Sequence, residues 1–163
     1  GKAMTGGFPL SAAIATPQVL RHWPLNTAEA IHTSTFLGNP MGCAVGLKAM
    51  EILERDQLAQ RAAKLGDWLL SELRRIAQAR RDIIYDVRGK GFMIGIEFAD
   101  KDGTPRTDLA LKIVDEMRDH GFMLLPSGPW SQVVSLSPPL MMPKACLEAF
   151  LEVFETCVLK IRA

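Results

Sequence analysis

From Met41 to about Ala79 no proline interrupts the chain, and the residues are mostly good helix formers. Proline inside a helix removes a hydrogen bond and clashes with the preceding turn. Its absence, with the apolar stripe Val45, Met50, Leu53, Leu58, Leu65, Leu69 and Leu73, predicts one long helix or two helices broken near Arg55-Asp56. This helical stretch divides the chain near residue 50. The part before it is irregular and rich in small residues; the part after it alternates short strands and helices.

Before the division, Gly and Pro punctuate residues 1–18 around a short apolar run, Ala12-Ala13-Ile14-Ala15, which is expected as a buried strand. Thr16-Pro17 then opens a short helix, because proline at a first helical position lacks only an N–H that would be unbonded anyway. Residues 22–40, with Pro24, Gly38 and Pro40, read as a long loop, a feature that is usually functional in a compact domain.

After the division, strands are expected over 83–87 and 92–98, with Arg88-Gly89-Lys90-Gly91 as a tight turn between them. An amphipathic helix over 107–119 presents Leu109, Ile113, Val114 and Met117 on one face. Strands over 122–125 and 132–136 follow, and Pro143 opens a last helix whose Leu147, Phe150, Leu151, Phe154 and Val158 share a buried face. The fold class is therefore α/β, with a small ββαββα domain of α+β type. The organisation is residues 1–50 as the incomplete end of a larger domain and 51–163 as a small domain including the connecting helix.

Nineteen basic against eighteen acidic side chains leave a net charge of +1. That balance, without any Lys/Arg run, argues against nucleic acid as a partner. No apolar stretch reaches the roughly 18 residues that a membrane span needs. Cys43, Cys146 and Cys157 cannot all pair and fit no zinc spacing, so buried free thiols in a reducing, cytoplasmic compartment are expected, with no metal. The chain opens inside a glycine-rich motif with no export leader, which reads as a fragment.

Four segments carry possible chemistry. Lys2, near Gly6-Gly7, is a catalytic amine if burial or a nearby cation keeps it neutral, and a solvated charge otherwise. The run His32-Thr33-Ser34-Thr35-Phe36-Leu37-Gly38-Asn39-Pro40 sets hydroxyls and loop N–H groups before a helix, as either a phosphate site or a helix cap. Arg88 and Lys90 place two cations between glycines, as either an anion site or a solvated hairpin turn. Ser135 stands near the end of a strand closed by Pro138-Pro139, where outward side chains can face a ligand.

Together and in order, these segments resemble the class III aminotransferases, pyridoxal-phosphate enzymes of fold type I such as 4-aminobutyrate and ornithine aminotransferases. Gly1-Lys2-Ala3-Met4-Thr5-Gly6-Gly7-Phe8-Pro9-Leu10-Ser11-Ala12 resembles their cofactor-lysine segment, and His32 to Pro40 their H-x-S/T-T-[YF]-x-G-[NS]-P segment. Val87 to Glu97 is similar to their small-domain hairpin, and Ser137-Pro138-Pro139-Leu140 to the strand end before their last helix. The likeness runs over essentially all of the chain. It implies that Lys2 forms the Schiff base with pyridoxal 5'-phosphate and shuttles the substrate proton. It implies that Thr35, with Ser34, reaches the cofactor phosphate of the neighbouring subunit, hence a homodimer with shared sites. The substrates implied are an amine or amino acid and a 2-oxo acid.

Two departures qualify the likeness. The family's Asp for the pyridine nitrogen, its ring-stacking aromatic residue and its Gly/Ser phosphate turn precede the cofactor lysine and are not in this sequence, so residues 1–163 alone are expected not to transaminate. Ser135 stands where many members carry an Arg that clamps a substrate carboxylate, which points to amines as substrates, to a carboxylate held elsewhere, or to amino-acid racemisation or epimerisation. A non-catalytic small α/β binding domain is the alternative from a different class.

Overall fold

The computed structural model describes residues 4–24 and 34–161. The chain forms two compact units, Gly1–Asp56 and Gln57–Ala163. The boundary lies a few residues beyond the division expected near residue 50.

In the first unit, the Thr16 hydroxyl accepts from the Val19 N–H and caps the short helix α1 (Pro17–Leu20), with Pro17 at its first position. The run Ala12–Ala15 is not the buried strand expected: it has no regular structure and Ile14 is 94% exposed. A strand must pair its N–H and C=O groups with a neighbour, and every strand among the described residues belongs to the second unit. Helix α2 (Pro40–Arg55) is capped by Asn39, whose Oδ1 accepts from the N–H groups of Met41 (2.9 Å) and Gly42 (3.2 Å).

Helix α3 (Leu58–Ala79) begins after Gln57, whose φ of 48° breaks the helical path, so the long helical stretch is two helices. Then follow β1 (Ile84–Lys90), β2 (Met93–Phe98), α4 (Thr107–Asp119), β3 (Leu125–Ser127), β4 (Val133–Leu136) and α5 (Lys144–Lys160). The strands form one antiparallel sheet in the order β1-β2-β4-β3. After α3 the second unit is thus the ββαββα arrangement expected from the sequence. One sheet face, through Val87, Ile94, Ile96, Val134 and Leu136, joins Leu69, Leu73 and Ile76 of α3, Ile113 and Met117 of α4, and Phe150 and Phe154 of α5 in a single core cluster.

Two expectations shift. Arg88, Gly89 and Lys90 are not a turn; they are the last residues of β1, paired with Gly95, Ile94 and Met93. The turn is Gly91-Phe92 alone, with a positive φ (55°) at Gly91 only, the pattern of a type II′ hairpin that continues the strand twist. The strand expected over 122–125 begins only at Leu125, because the preceding residues serve the core: Phe122 meets the Phe150 ring edge-on at 5.6 Å. The thiols also differ from expectation. Only Cys157 is buried, which pushes its pKa up, whereas Cys43 and Cys146 are exposed.

Helix α3 reaches the hairpin through a glycine. A Cβ on Gly66 would lie 2.6 Å from the Gly91 Cα and closer still to the Gly91 carbonyl. Gly66→Ala should therefore destabilise the protein by about 1–3 kcal/mol through overpacking, although alanine favours a free helix by about 1 kcal/mol. A lower urea midpoint checks this; a raised midpoint contradicts the close approach.

Arginines tie the ends of the second unit. Arg80 donates to Asp82 at 2.9 and 2.8 Å, to the Ile161 carbonyl at 2.9 Å and to the Val158 carbonyl, holding the end of α5. Arg75 bridges α3 to Glu155 of α5 at 2.9 and 3.0 Å. These bonds hold the Asp82 and Glu155 carboxyls below the usual carboxylate range. A depressed folded pKa stabilises above the unfolded value and is lost as pH falls through the folded one. Stability measured by denaturant should therefore fall as pH drops below about 4, modestly because both groups are solvent-screened, and these pairs should contribute no change between pH 6 and 8.

Candidate functional site

In the first unit, the segment that follows Lys2 is docked on α2. Gly42 and Gly46, one helical turn apart, are the only buried residues of that helix. The Leu10 side chain lies 2.8 Å from where a Gly46 Cβ would stand, and Phe8 and Leu10 lie 3.5 and 3.4 Å from the Gly42 position. The Thr5 hydroxyl donates to the Phe8 carbonyl and is itself buried, closing the Gly6-Gly7 turn against the helix. Two motifs distant in sequence, the lysine segment and the segment leading into α2, are thus held together by a glycine face. The spacing Gly42-x-x-x-Gly46 carried that signal, and the motif reading passed over it.

Lys2, His32 and Thr33 lie outside the described residues. Ser34 and Thr35 are exposed in the turn before α2, and among the described residues their hydroxyls make no hydrogen bond. Asn39 already occupies the first N–H groups of α2, so this end of the helix is capped by its own side chain. Any anion in this region must be held by hydroxyls and loop groups ahead of the cap. Two unpaired exposed hydroxyls fit the phosphate of a phosphorylated cofactor in chemistry and access.

In the second unit, Ser135 sits in β4 opposite Gly95 of β2 and Leu125 of β3. It is half-buried, and its hydroxyl shares a 2.6 Å hydrogen bond with the Ser127 hydroxyl. Beside it is a cavity of about 540 Å³ whose lining includes Leu69, Phe122, Leu136 and Phe150, with Ser135 and Ser137 at its polar edge and no charged side chain. Arg61, which no motif singled out, donates from α3 to the carbonyls of Leu140 and Met142 at 2.6 Å each. It fixes the loop that leaves Pro138-Pro139 along the wall of this cavity.

Across the same sheet face, Arg88 Nη1 donates to Asp86 (2.8 Å) and to Glu97 (2.5 Å). These bonds, that to Asp86 the larger, hold the guanidinium pKa above its usual value. Glu97 accepts in turn from Gln132 Nε2 at 3.2 Å. Among the described residues no three His, Cys, Asp or Glu side chains converge as metal ligands, and no helix is long and apolar enough to cross a membrane.

The docking of the lysine segment is open to test. Gly46→Leu puts a branched side chain where Leu10 lies and should lift residues 5–10 off α2. Proteolytic cleavage within residues 4–10 should become at least tenfold faster than in the unsubstituted protein, while the unfolding of the second unit is unchanged. An unaltered cleavage rate would show that the glycine face does not hold the segment.

A family model described as "Aminotransferase class-III" matches residues 1–158. The acetylornithine aminotransferase of Methanothermobacter thermautotrophicus is 35% identical over 93% of this chain and 35% of its own length. An alanine/serine racemase of Pyrococcus horikoshii is 30% identical over 97% of the chain and 32% of its own. Among solved structures, acetylornithine aminotransferase from Elizabethkingia anophelis superposes with a TM-score of 0.72 at 30% identity, over 82% of this chain and 32% of that one. An amine transaminase of an uncultivated Pseudomonas species, in its pyridoxal-phosphate-bound form, gives 0.69 at 29% identity over 80% and 30%. The chain spans about a third of the length of the curated relatives it matches.

Proposed function

We propose a function from one premise: this chain belongs to the class-III aminotransferase family. The complete protein transfers an amino group from an amine or amino acid to a 2-oxo acid with pyridoxal 5'-phosphate as cofactor. The observation that carries this reading is the docking of the lysine segment on the glycine face of α2, the helix that the turn with Ser34 and Thr35 leads into. It supports an arrangement in which one rigid helix sets both the lysine segment of one cofactor site and the hydroxyls that reach the phosphate of the neighbouring subunit's cofactor.

Pyridoxal phosphate, when bound, supplies an electron sink conjugated to the substrate α-carbon. Lys2 would hold the cofactor through its amine, and the same amine would carry the substrate α-proton. Ser34 and Thr35 donate hydroxyl hydrogens to the phosphate, that of the neighbouring subunit in a homodimer. Ser135 faces the substrate without a charge of its own. In this reading residues 1–50 complete a large cofactor-binding domain and 51–163 are the small domain. Exposed, unpaired Cys43 and Cys146 suit a cytoplasmic setting.

Borohydride reduction of the pyridoxal-phosphate-loaded complete polypeptide, followed by peptide mapping, should place the label on Lys2, and Lys2→Ala should lower turnover by at least a thousandfold. A label on another lysine would overturn the assignment. The likeness to the racemase supports a second reading, amino-acid racemisation or epimerisation at the same lysine. Loss of substrate chirality without an added 2-oxo acid would select it.

A further inference from the structure

The Arg88-Gly89-Lys90-Gly91 segment has no part in the proposed function, and the structure moves it from a turn into a strand. Arg88 is paired with Gly95, and Gly95 with Ser135. Directly opposed residues of antiparallel strands share a face, so Arg88, Gly95 and Ser135 form one row across three strands. It is the face opposite the one through Val87, Ile96 and Val134 that joins the helices in the core. Two strand spacings separate the Cα atoms of Arg88 and Ser135, about 10 Å. Between them lies only the bare backbone of Gly95, where an added Cβ would press on Val133 Cγ1 at 3.1 Å. The row is a shallow trough with a cation at one end and a hydroxyl pair at the other.

The guanidinium is held by one nitrogen. Nη1 serves both Asp86 and Glu97, while among the described residues Nε and Nη2 make no hydrogen bond and the side chain is 52% exposed. Glu97 is steadied by Gln132, which itself accepts from the Trp130 N–H at 3.1 Å. Lys90, two residues along the same face and opposite Met93, has no ion pair among the described residues. Two cations therefore face two carboxylates, and the trough is neutral overall. Selectivity for an anion must come from the planar fork of the guanidinium, which matches a carboxylate with two parallel N–H groups.

We propose that Arg88 binds the carboxylate of the 2-oxo acid, over Gly95, with the Ser135–Ser127 hydroxyl pair at the far end of the trough. The inference rests on the amino-transfer reading, because every 2-oxo acid carries a carboxylate and Ser135 has no charge to meet it. A neutral trough also admits donors that lack a carboxylate, which an unpaired arginine would disfavour less by shape than by its desolvation.

The first test needs no turnover. Titration of the isotopically labelled chain with pyruvate, followed by NMR, should give saturable shifts at the Gly95 amide and the Arg88 Nε–H, and Arg88→Gln should abolish those at Gly95. No saturation where a site of about 1 mM affinity would be filled overturns the proposal. So does saturation that survives in Arg88→Gln. The second test uses the loaded complete polypeptide with an amine donor. Arg88→Gln should raise KM for pyruvate by about 30-fold, the scale of one charge-assisted pair, with kcat within about threefold; Arg88→Lys should recover part of the loss, and Ser135→Arg in the Arg88→Gln background should restore it. An unchanged KM, or a fall in kcat alone, overturns the proposal. Pyruvate binding at Gly95 in a polypeptide that transfers no amino group would instead sink the amino-transfer reading and leave the anion site standing.

Discussion

Three helices bury one face of a four-stranded sheet, and the resulting core contains no charged side chain. That one-sided burial fixes the register, because a one-residue slip would turn Val87, Ile96 and Val134 outward and Arg88, Glu97 and Ser135 inward. The second of those exchanges is the more costly, since it would bury an arginine and a glutamate away from water. The polar row on the open face is thus held in place by the apolar row behind it. Gly66 belongs to the same constraint. Without a side chain there, α3 meets the hairpin backbone directly and the apolar residues of helix and strand close on each other.

The sequence revealed what periodicity encodes. The helix over 107–119 lies where its apolar face placed it, and the break near Arg55-Asp56 is the left-handed residue Gln57. Composition was a poorer guide. Arg88-Gly89-Lys90-Gly91 has the make-up of a turn, but a type II′ hairpin needs only one glycine at its first corner, and Gly91 supplies it. The segment Ala12–Ala15 has the make-up of a strand without a partner to pair with, a condition set by the rest of the fold and invisible in four residues. The candidate cofactor residues Lys2, Ser34 and Thr35 were legible only through resemblance to a family; no local pattern distinguishes such a lysine from a solvated one.

Arg61 and the Gly42/Gly46 face show the opposite case, functional supports that no motif flagged. Each acts by position rather than by chemical type. Arg61 spans from α3 to two loop carbonyls far away in sequence, and such a contact follows from tertiary packing alone. The glycine face matters because something must lie flat on a helix; its i, i+4 spacing is a signal that a second segment is close, without naming which.

The hydroxyl pair at Ser135 and Ser127 has a consequence for what the open face can recognise. Two hydroxyls carry two hydrogens, and their mutual bond uses one. The Ser127 hydroxyl directs the other hydrogen to the Val133 carbonyl, 3.5 Å away, so the pair keeps acceptor capacity but no free donor. A carboxylate, which only accepts, therefore has its binding partner in the trough at the free edge of Arg88 and not at the hydroxyl pair. In the proposed site, discrimination between anionic and neutral ligands rests on the arginine alone, and the carboxylates of Asp86 and Glu97 set its strength. Glu97, the nearer of the two, is itself engaged by Gln132, so the affinity of the trough for an anion is tuned by a glutamine one strand away that touches no ligand.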